Sequence, residues 1–582
     1  MMRGDLEQEL GQRYAAAVRS AFDLDVSVED SQIRPSGRER QAQADYQSNA
    51  AMGLAKRLGR PSPAVAAAIV ERLDLGDMLE PPRVEGPGFV NLTLRRDWLE
   101  RQVAELRCDD RIGVALTEAP RRTVIDYSAA NIAKEMHVGH LRSTIIGDSI
   151  RRLIQFRGEH VIAQNHIGDW GTPLGMLLEH LVDEDRIHGA DHSISELNSF
   201  YQAARRKFDG DPAFQERSRR RVVALQAGDE ATLALWHELV DKSLRYVERL
   251  YELLGVLLTP ADIAAESFYN PMLPDVAEEL ESRGLASVVD GALMAFPPGF
   301  TGRDGRPVPL IVRKSDGGYT YDTTDLAAIR HRARDLHADD ILYVVGSTQR
   351  LHLHLVFAMA REAGWLRPES RVEHVSFGQI LGPDGKLLRT RSGESIRLVE
   401  LLEEAIERAA AIVAERSELT AGERRDVARA VGVGAVKYAD LSGDRNKDYV
   451  FDWDRMLAMD GNTSVYLQYA NARVRSVIRR AGGEVPPGTP VVLETPVERT
   501  LGLKLARFPT AVESATVHLQ PHRLCTYLYE TAVAFSDFYE KCSILGAETE
   551  AIRASRLVLS ELTSRVMVRG LDLLGIEAPE RL

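Results

Sequence analysis

Cysteine is scarce in this chain: Cys108, Cys525 and Cys542 are the only three in 582 residues. An odd number of thiols without metal-ligand spacing argues against both a disulfide framework and a zinc ribbon, so reduced thiols and no protein-held metal are expected. Long apolar runs are missing too. Although 44% of the residues are hydrophobic, no uninterrupted apolar stretch of about 18 residues could span a bilayer. The first residues, Met1-Met-Arg-Gly-Asp-Leu-Glu-Gln-Glu9, carry acids where a secretory leader has a basic end and an apolar stretch, so a cytoplasmic protein without a membrane partner is expected. Positive charge is in deficit. A formal net charge of -13 argues against a protein that coats nucleic acid indiscriminately, because such binding comes mainly from neutralising phosphates. The deficit is uneven: from Arg455 onward 15 Lys and Arg face 14 Asp and Glu, leaving -14 for the first 454 residues. The C-terminal part is therefore the surface less repulsive to a polyanion.

The length exceeds what one core usually supports, so several modules are expected. Residues 1–115 mix helical patterns (Asp5 to Phe22, Pro63 to Leu73) with strand-like pieces ending at Gly86-Pro-Gly88-Phe-Val-Asn-Leu-Thr-Leu94, as in a small α+β domain. The polar junction Glu118-Ala-Pro120-Arg121-Arg122 reads as a boundary. From residue 116 to 454 strand-like runs alternate with longer helical patterns: Thr123 to Ile125, Val161 to Ala163, Leu293 to Phe296, Ile341 to Val345 and Val372 to Phe377. Such alternation predicts an α/β, Rossmann-like, doubly wound parallel sheet, whose ligands gather at the carboxyl ends of the strands. Residues 175 to 285 form a charged, helix-rich insertion, and its Arg217-Ser-Arg219-Arg220-Arg221 run reads either as a phosphate contact or as a solvated helix face. From Val399 the pattern is nearly all helical, with Pro486 to Pro490 as a loop, so residues 455–582 are expected to be an all-α bundle.

The most informative stretch is Asp126-Tyr-Ser-Ala-Ala-Asn131-Ile-Ala-Lys134-Glu-Met-His137-Val-Gly139-His140. It follows a strand-like run, and Leu141, Ile145, Ile146 and Ile150 recur after it at helical spacing, which puts the two histidines at a helix N-terminus. Unpaired backbone N–H groups and the helix dipole favour an anion there. The pattern His-x-Gly-His is expected by chance only about 0.03 times in such a chain, although two core histidines on one helical face remain the alternative. A second loop, Gly382-Pro383-Asp384-Gly385-Lys386-Leu-Leu-Arg389-Thr390-Arg391-Ser392-Gly393, is glycine-rich and basic and follows the strand-like Gln379-Ile380-Leu381. Its cations could stabilise charge developing on a triphosphate, or it could be a solvated β-turn.

These motifs give the chain a specific resemblance: it resembles the class I arginyl-tRNA synthetases. His137-Val-Gly-His140 is similar to the "HIGH" signature of the class, and Ser128 to Thr144 to its extended form in the arginine enzymes. Further similar segments are Asn165-His166-Ile-Gly168-Asp169-Trp170-Gly171, Tyr321-Asp-Thr-Thr-Asp325, Gly-Ser-Thr-Gln349, Gln468-Tyr-Ala-Asn-Ala-Arg473 and Gly570 to Arg581, which span the chain. The resemblance implies activation of L-arginine by ATP, accompanied by Mg2+, to arginyl-adenylate and transfer to tRNA(Arg). It implies that His137 and His140 stabilise the reacting phosphate, and that Gly139, Gln349, Ile380 and Leu381 help hold ATP. By the same resemblance Asp126, Asn131, His166, Tyr321, Asp325 and Gln349 hold arginine, with His166 and Asp169 shaping the pocket floor. A guanidinium needs planar carboxylate partners. Asp325 could instead be only a helix cap, whereas a buried Asp126 without a partner would be costly, which favours a functional role for it.

In the loop similar to "KMSKS" the expected lysine is not evident. Lys386 and Arg389 stand there, and Lys134 is the expected stand-in. The resemblance also implies that residues 1–115 contact tRNA, that 382–393 form the mobile loop, and that 455–582 bind the anticodon. Tyr466, Tyr469, Arg473 and Tyr527 are candidates for stacking on splayed bases, though each could equally be a core or surface residue. A monomer is the family habit. Two other readings remain: an idle, synthetase-like RNA-binding protein, which the intact His137, His140, Asp126 and Lys134 disfavour, and a nucleotidyltransferase or a class I enzyme for another amino acid such as glutamate or cysteine, which the acidic pocket residues disfavour.

Overall fold

The computed structural model describes residues 4–37, 44–132, 134–184, 194–389, 396–414 and 419–582. The chain divides into two compact units, one comprising Met1–Leu116, Met459–Asp572 and Glu577–Leu582, the other Thr117–Ala458 and Leu573–Ile576. The terminal regions thus share one body, which the sequence did not suggest.

In that first unit β1 (Ile33–Pro35), β2 (Tyr46–Ser48), β3 (Arg83–Glu85) and β4 (Phe89–Leu92) form an antiparallel sheet in the order β1-β2-β4-β3. The Leu6–Phe22 helix begins where Asp5 accepts a hydrogen bond from the N–H of Glu7, which satisfies one of the helix's free donors. The remainder of the unit is helical. Arg107 ties the two regions together by pairing with Glu561 and donating to the carbonyls of Val485 and Pro486, while Arg499 pairs with Asp45 at 2.6 Å.

The second unit is built on β5 (Arg122–Asp126), β6 (His160–Gln164), β7 (Ala286–Val289), β8 (Ala292–Ala295), β9 (Leu310–Arg313), β10 (Asp340–Tyr343), β11 (Arg371–His374), β12 (Ile380–Leu381) and β13 (Tyr449–Val450). Four of these form a parallel sheet in the order β11-β10-β5-β6. Thr123 to Asp126 are all buried, as a central strand covered on both faces requires. After β5 the chain turns outward to β6 and later returns to the other side of β5 as β10. The order therefore reverses between β5 and β10, and their carboxyl ends open a crevice there.

One expected strand belongs elsewhere. The apolar run Leu293 to Phe296 predicts a strand of the parallel sheet, but β8 lies in a separate antiparallel sheet in the order β7-β8-β9. The cause is local: Asp290 and Gly291 take φ of 49° and 84°, the two-residue hairpin turn that Asp-Gly favours, and a two-residue connection forces antiparallel pairing. The helical insertion is present as Thr172–Asp183, Ile194–Gly210, Pro212–Gln226 and Glu230–Leu254, packed through Leu174, Leu177, Leu178 and Phe214. Its arginines mostly meet acids. Arg217 pairs with Glu179 and Asp183, Arg221 with Glu179, and Arg220 with Glu216. Among the described residues no helix is long and apolar enough to cross a membrane.

Candidate active site

The His137 motif starts the Val138–Phe156 helix at the carboxyl end of β5. His137 is the N-cap, and its Nδ1 accepts from the N–H of Gly139 at 3.0 Å. In return Nδ1 of His140 accepts from the N–H of His137 at 3.1 Å, and the rings lie 4.1 Å apart. An imidazole that accepts at Nδ1 carries its proton on Nε2, so each ring keeps an N–H to offer a ligand. Both are held neutral. Burial, and then the nearby Lys134 charge, lowers His137, while burial, and then the neighbouring His137, push His140 down to about 3. Gly139 is required by contact, since a Cβ there would lie 2.7 Å from the His137 ring.

The segment before the motif is strained. Ser128 and Ala129 have φ of 77° and 51°, conformations that side-chain-bearing residues rarely adopt. Side-chain bonds hold them there: the Ser128 N–H donates to Ser143 Oγ, the Ser128 hydroxyl meets Thr144 at 2.9 Å and Tyr251 at 2.6 Å, and the Ala129 N–H donates to Asn165. The exposed Asn131 follows, bridged through its backbone to Gly168.

A cavity of about 330 Å3, the size of a small-ligand pocket, is lined by His137, Gly139, Gly346, Phe377, Ile380 and Arg389, among others. Two separately expected motifs, through His137 and Gly139 of the one and Arg389 of the other, therefore meet on one cleft, whose lining does not include His140. Lys386 does not reach that lining. It sits exposed on a tight hairpin closed by Gly382 N–H to Lys386 O, with Gly385 at φ 71°. Arg391, Ser392 and Gly393 lie outside the described residues. Lys134 is exposed, its ammonium 4.8 Å from the Tyr201 ring. Leu381 is half-buried beside Ile380, and Gln349 stands exposed at the turn after β10.

The remaining candidates gather around acids at the ends of β5, β6 and the Tyr321–Arg334 helix. Thr320, not Asp325, is that helix's N-cap. Asp325 lies one turn inside and binds His352 Nε2 at 2.5 Å, with His166 Nε2 3.9 Å away. Burial works to raise the Asp325 carboxyl, but these two histidines and Arg332 prevail and hold it below its usual range. Burial would lower His352, yet its bond to Asp325 and the charges of Asp325 and Asp322 raise it. His166 stacks on Tyr269, and Tyr321 is exposed with its ring 5.1 Å from that of His352. Asp169 is already engaged, accepting both the N–H and hydroxyl of Ser267.

Asp126 needs a correction. It was expected to be without a structural partner, but it pairs at 2.8 Å with Arg332, a fully buried guanidinium that also donates to Gln164. Its charge is compensated within the fold through Oδ2. The sequence reading missed Glu266, whose carboxyl is pushed up to about 7 by burial and then by the charges of Asp169 and Asp325. It is an acid in want of a cation. No pattern flags Glu266, but Arg332 stands seven residues after Asp325 on one helix, and His352 three after Gln349; that spacing could have shown both.

Comparison with known proteins fits this geometry. The family described as "tRNA synthetases class I (R), catalytic domain" matches residues 102–453, "Arginyl tRNA synthetase N terminal domain" residues 8–94, and "DALR anticodon binding domain" residues 467–582. The chain belongs to the arginyl-tRNA synthetase family. It is 52% identical to the arginine–tRNA ligase of Thermobifida fusca, over 99% of this chain and 100% of that one, and 50% identical to that of Frankia casuarinae, over 97% of each. The arginyl-tRNA synthetase of Plasmodium falciparum superposes with a TM-score of 0.86 at 27% identity over 100% of both chains. That of Thermus thermophilus gives 0.84 at 25% identity, over 99% of this chain and 100% of that one. Class I enzymes of this family use ATP as a substrate.

The tRNA-side candidates divide. Tyr527 is buried and its hydroxyl donates to the Lys504 carbonyl, which leaves no ring face for a base and corrects that expectation. Tyr466 is half-buried and bonded to Ser536. Arg473 lies over the rings of Tyr469 and Tyr539, at 5.0 and 5.5 Å, on a partly exposed surface.

Proposed function

We propose that this chain ligates arginine to tRNA(Arg) with the residues of these two clusters, in a cytoplasmic enzyme that works as a monomer without a membrane partner. ATP enters as its magnesium complex and lies in the cleft beside Gly139, Gln349, Ile380 and Leu381. The Nε2–H groups of His137 and His140 donate to the phosphate oxygens, next to the positive end of the helix. Lys134, Lys386 and Arg389 supply cationic charge as the arginine carboxylate attacks the α-phosphate and pyrophosphate departs. Asn131 and Gln349 hold the backbone groups of arginine.

For the guanidinium, Asp325 and Glu266 are the carboxylate partners, His166 and Tyr321 are the walls, and Asp126 acts through Arg332. Residues 1–115 contact tRNA, 116–454 form the catalytic domain with its 382–393 loop, and 455–582 bind the anticodon through Tyr466, Tyr469 and Arg473. The observation that carries the reading is the pair of reciprocal Nδ1 bonds that leaves both neutral imidazoles with an Nε2–H to donate. The test is to incubate the protein with each amino acid, ATP and total tRNA. Acid-precipitable arginine is expected, and charging of any other amino acid in its place overturns the reading.

A further inference from the structure

The chain that leaves the basic hairpin is described again at Ile396, and it returns onto the segment that delivers His137. Arg397 and His137 form an antiparallel bridge. It is closed by the N–H of Val138 to the carbonyl of Ile396 at 3.1 Å and by the N–H of Leu398 to the carbonyl of Met136 at 2.9 Å. Beside the bridge, Arg397 Nε lies 2.9 Å from Oε2 of Glu135. The Glu135 side chain is only 5% exposed, and neither of its oxygens has a hydrogen-bond partner, so Arg397 meets it as an ion pair. Arg397 also reaches Glu400 at 3.3 Å.

A buried carboxylate is costly unless a cation stands against it, and backbone bonds alone would close this bridge. What the ion pair adds is register. Side chains alternate along a strand, so a slip of one residue would turn Arg397 away from Glu135 and leave the carboxylate buried without its partner. The same slip would move the backbone of His137, whose N–H and ring both take part in the reciprocal bonds with Gly139 and His140.

We propose that Glu135 and Arg397 are positioning residues for the activation step: their ion pair fixes the register in which the return of the basic loop meets His137, and so the aim of its imidazole. This rests on the reading of His137 as a phosphate ligand. The pair touches no substrate and acts through the histidine.

The test is tRNA-supported, arginine-dependent ATP–pyrophosphate exchange by the full chain carrying Arg397→Ala, Arg397→Lys, Glu135→Gln or the double change Glu135→Gln with Arg397→Ala. Circular dichroism and a melting curve accompany each variant, and the isosteric Glu135→Gln guards against misfolding. Arg397→Ala and Glu135→Gln are each expected to lower kcat tenfold or more, with KM for arginine within twofold of the parent. The double change is expected to be no worse than either single one, and Arg397→Lys to recover kcat to within about threefold. A kcat within twofold of the parent for Glu135→Gln, losses that multiply in the double variant, or an Arg397→Lys as impaired as Arg397→Ala overturns the proposal. His137→Ala run in parallel separates the two claims. If it stays active, the phosphate reading falls and this proposal with it; if it is inactive while Glu135→Gln is not, this proposal alone falls.

Discussion

Replacing Glu266 by Gln separates binding from stability at the acidic pocket. The carboxyl stands at about 7 instead of the ordinary 4.5, so in the ligand-free protein its charged form carries a penalty on the order of 3 kcal/mol. Between those two values the folded protein holds a proton that the unfolded chain has lost, so this group's contribution to stability falls as pH rises from about 4.5 to 7 and stays low above. Glu266→Gln removes the penalty and is expected to raise the melting midpoint at pH 8 by a few degrees while leaving it nearly unchanged at pH 4.5. Arginine reverses the sign. A guanidinium never gives up its proton, so binding requires an ionised Glu266 and the dissociation constant should fall about tenfold per unit as pH rises toward 7, then level off. Calorimetric titration of arginine between pH 5.5 and 8.5 reads this directly. In Glu266→Gln the pH dependence should flatten, and affinity at pH 8 should drop by about 2 to 3 kcal/mol, roughly 30- to 150-fold. A variant that binds arginine within twofold of the parent at pH 8 would refute the reasoning.

Lys134→Ala should slow adenylate formation by well over twofold in single-turnover measurements; a smaller loss, less than about 0.4 kcal/mol of barrier, would remove Lys134 from the phosphate site. Because burial keeps both imidazoles neutral, with His137 below its ordinary 6.5 and His140 down at about 3, the activation rate should show no acidic limb from the histidines between pH 7 and 9. His137→Gln should lower the rate without creating one. Arg332→Met leaves Asp126 buried and unpaired and should destabilise the unit by about 3 to 5 kcal/mol in denaturant unfolding, with much of that loss recovered when Asp126→Asn is added. On the tRNA side, Tyr469→Ala should raise KM for tRNA, whereas Tyr527→Phe should cost about 1 kcal/mol of stability through its lost bond to Lys504 and leave that KM alone.

The fold was legible where period and turn chemistry agreed. Thr123 to Ile125 and the apolar spacing from Leu141 to Ile150 placed strand, turn and helix correctly, because a parallel strand buried on both faces reads as one apolar run. Leu293 to Phe296 carries the same apolar signal, and only the preceding Asp290-Gly291 reveals a hairpin. At the site, the histidine motif was readable because its bonds are local, between residues two and three apart. The acidic pocket was not, because its charges are set across long separations: Arg332 cancels Asp126 from 206 residues away, and Glu266 is raised by burial and then by Asp169 and Asp325 from other elements. Which carboxylate stays open to a ligand is a property of the assembled fold.

The most direct test is a crystal structure with arginine and a non-hydrolysable ATP analogue. The account predicts phosphate oxygens within hydrogen-bond distance of Nε2 of His137 and His140, and the guanidinium between Asp325 and Glu266. Triphosphate bound away from the start of the Val138–Phe156 helix, or a guanidinium that meets neither acid, would contradict it.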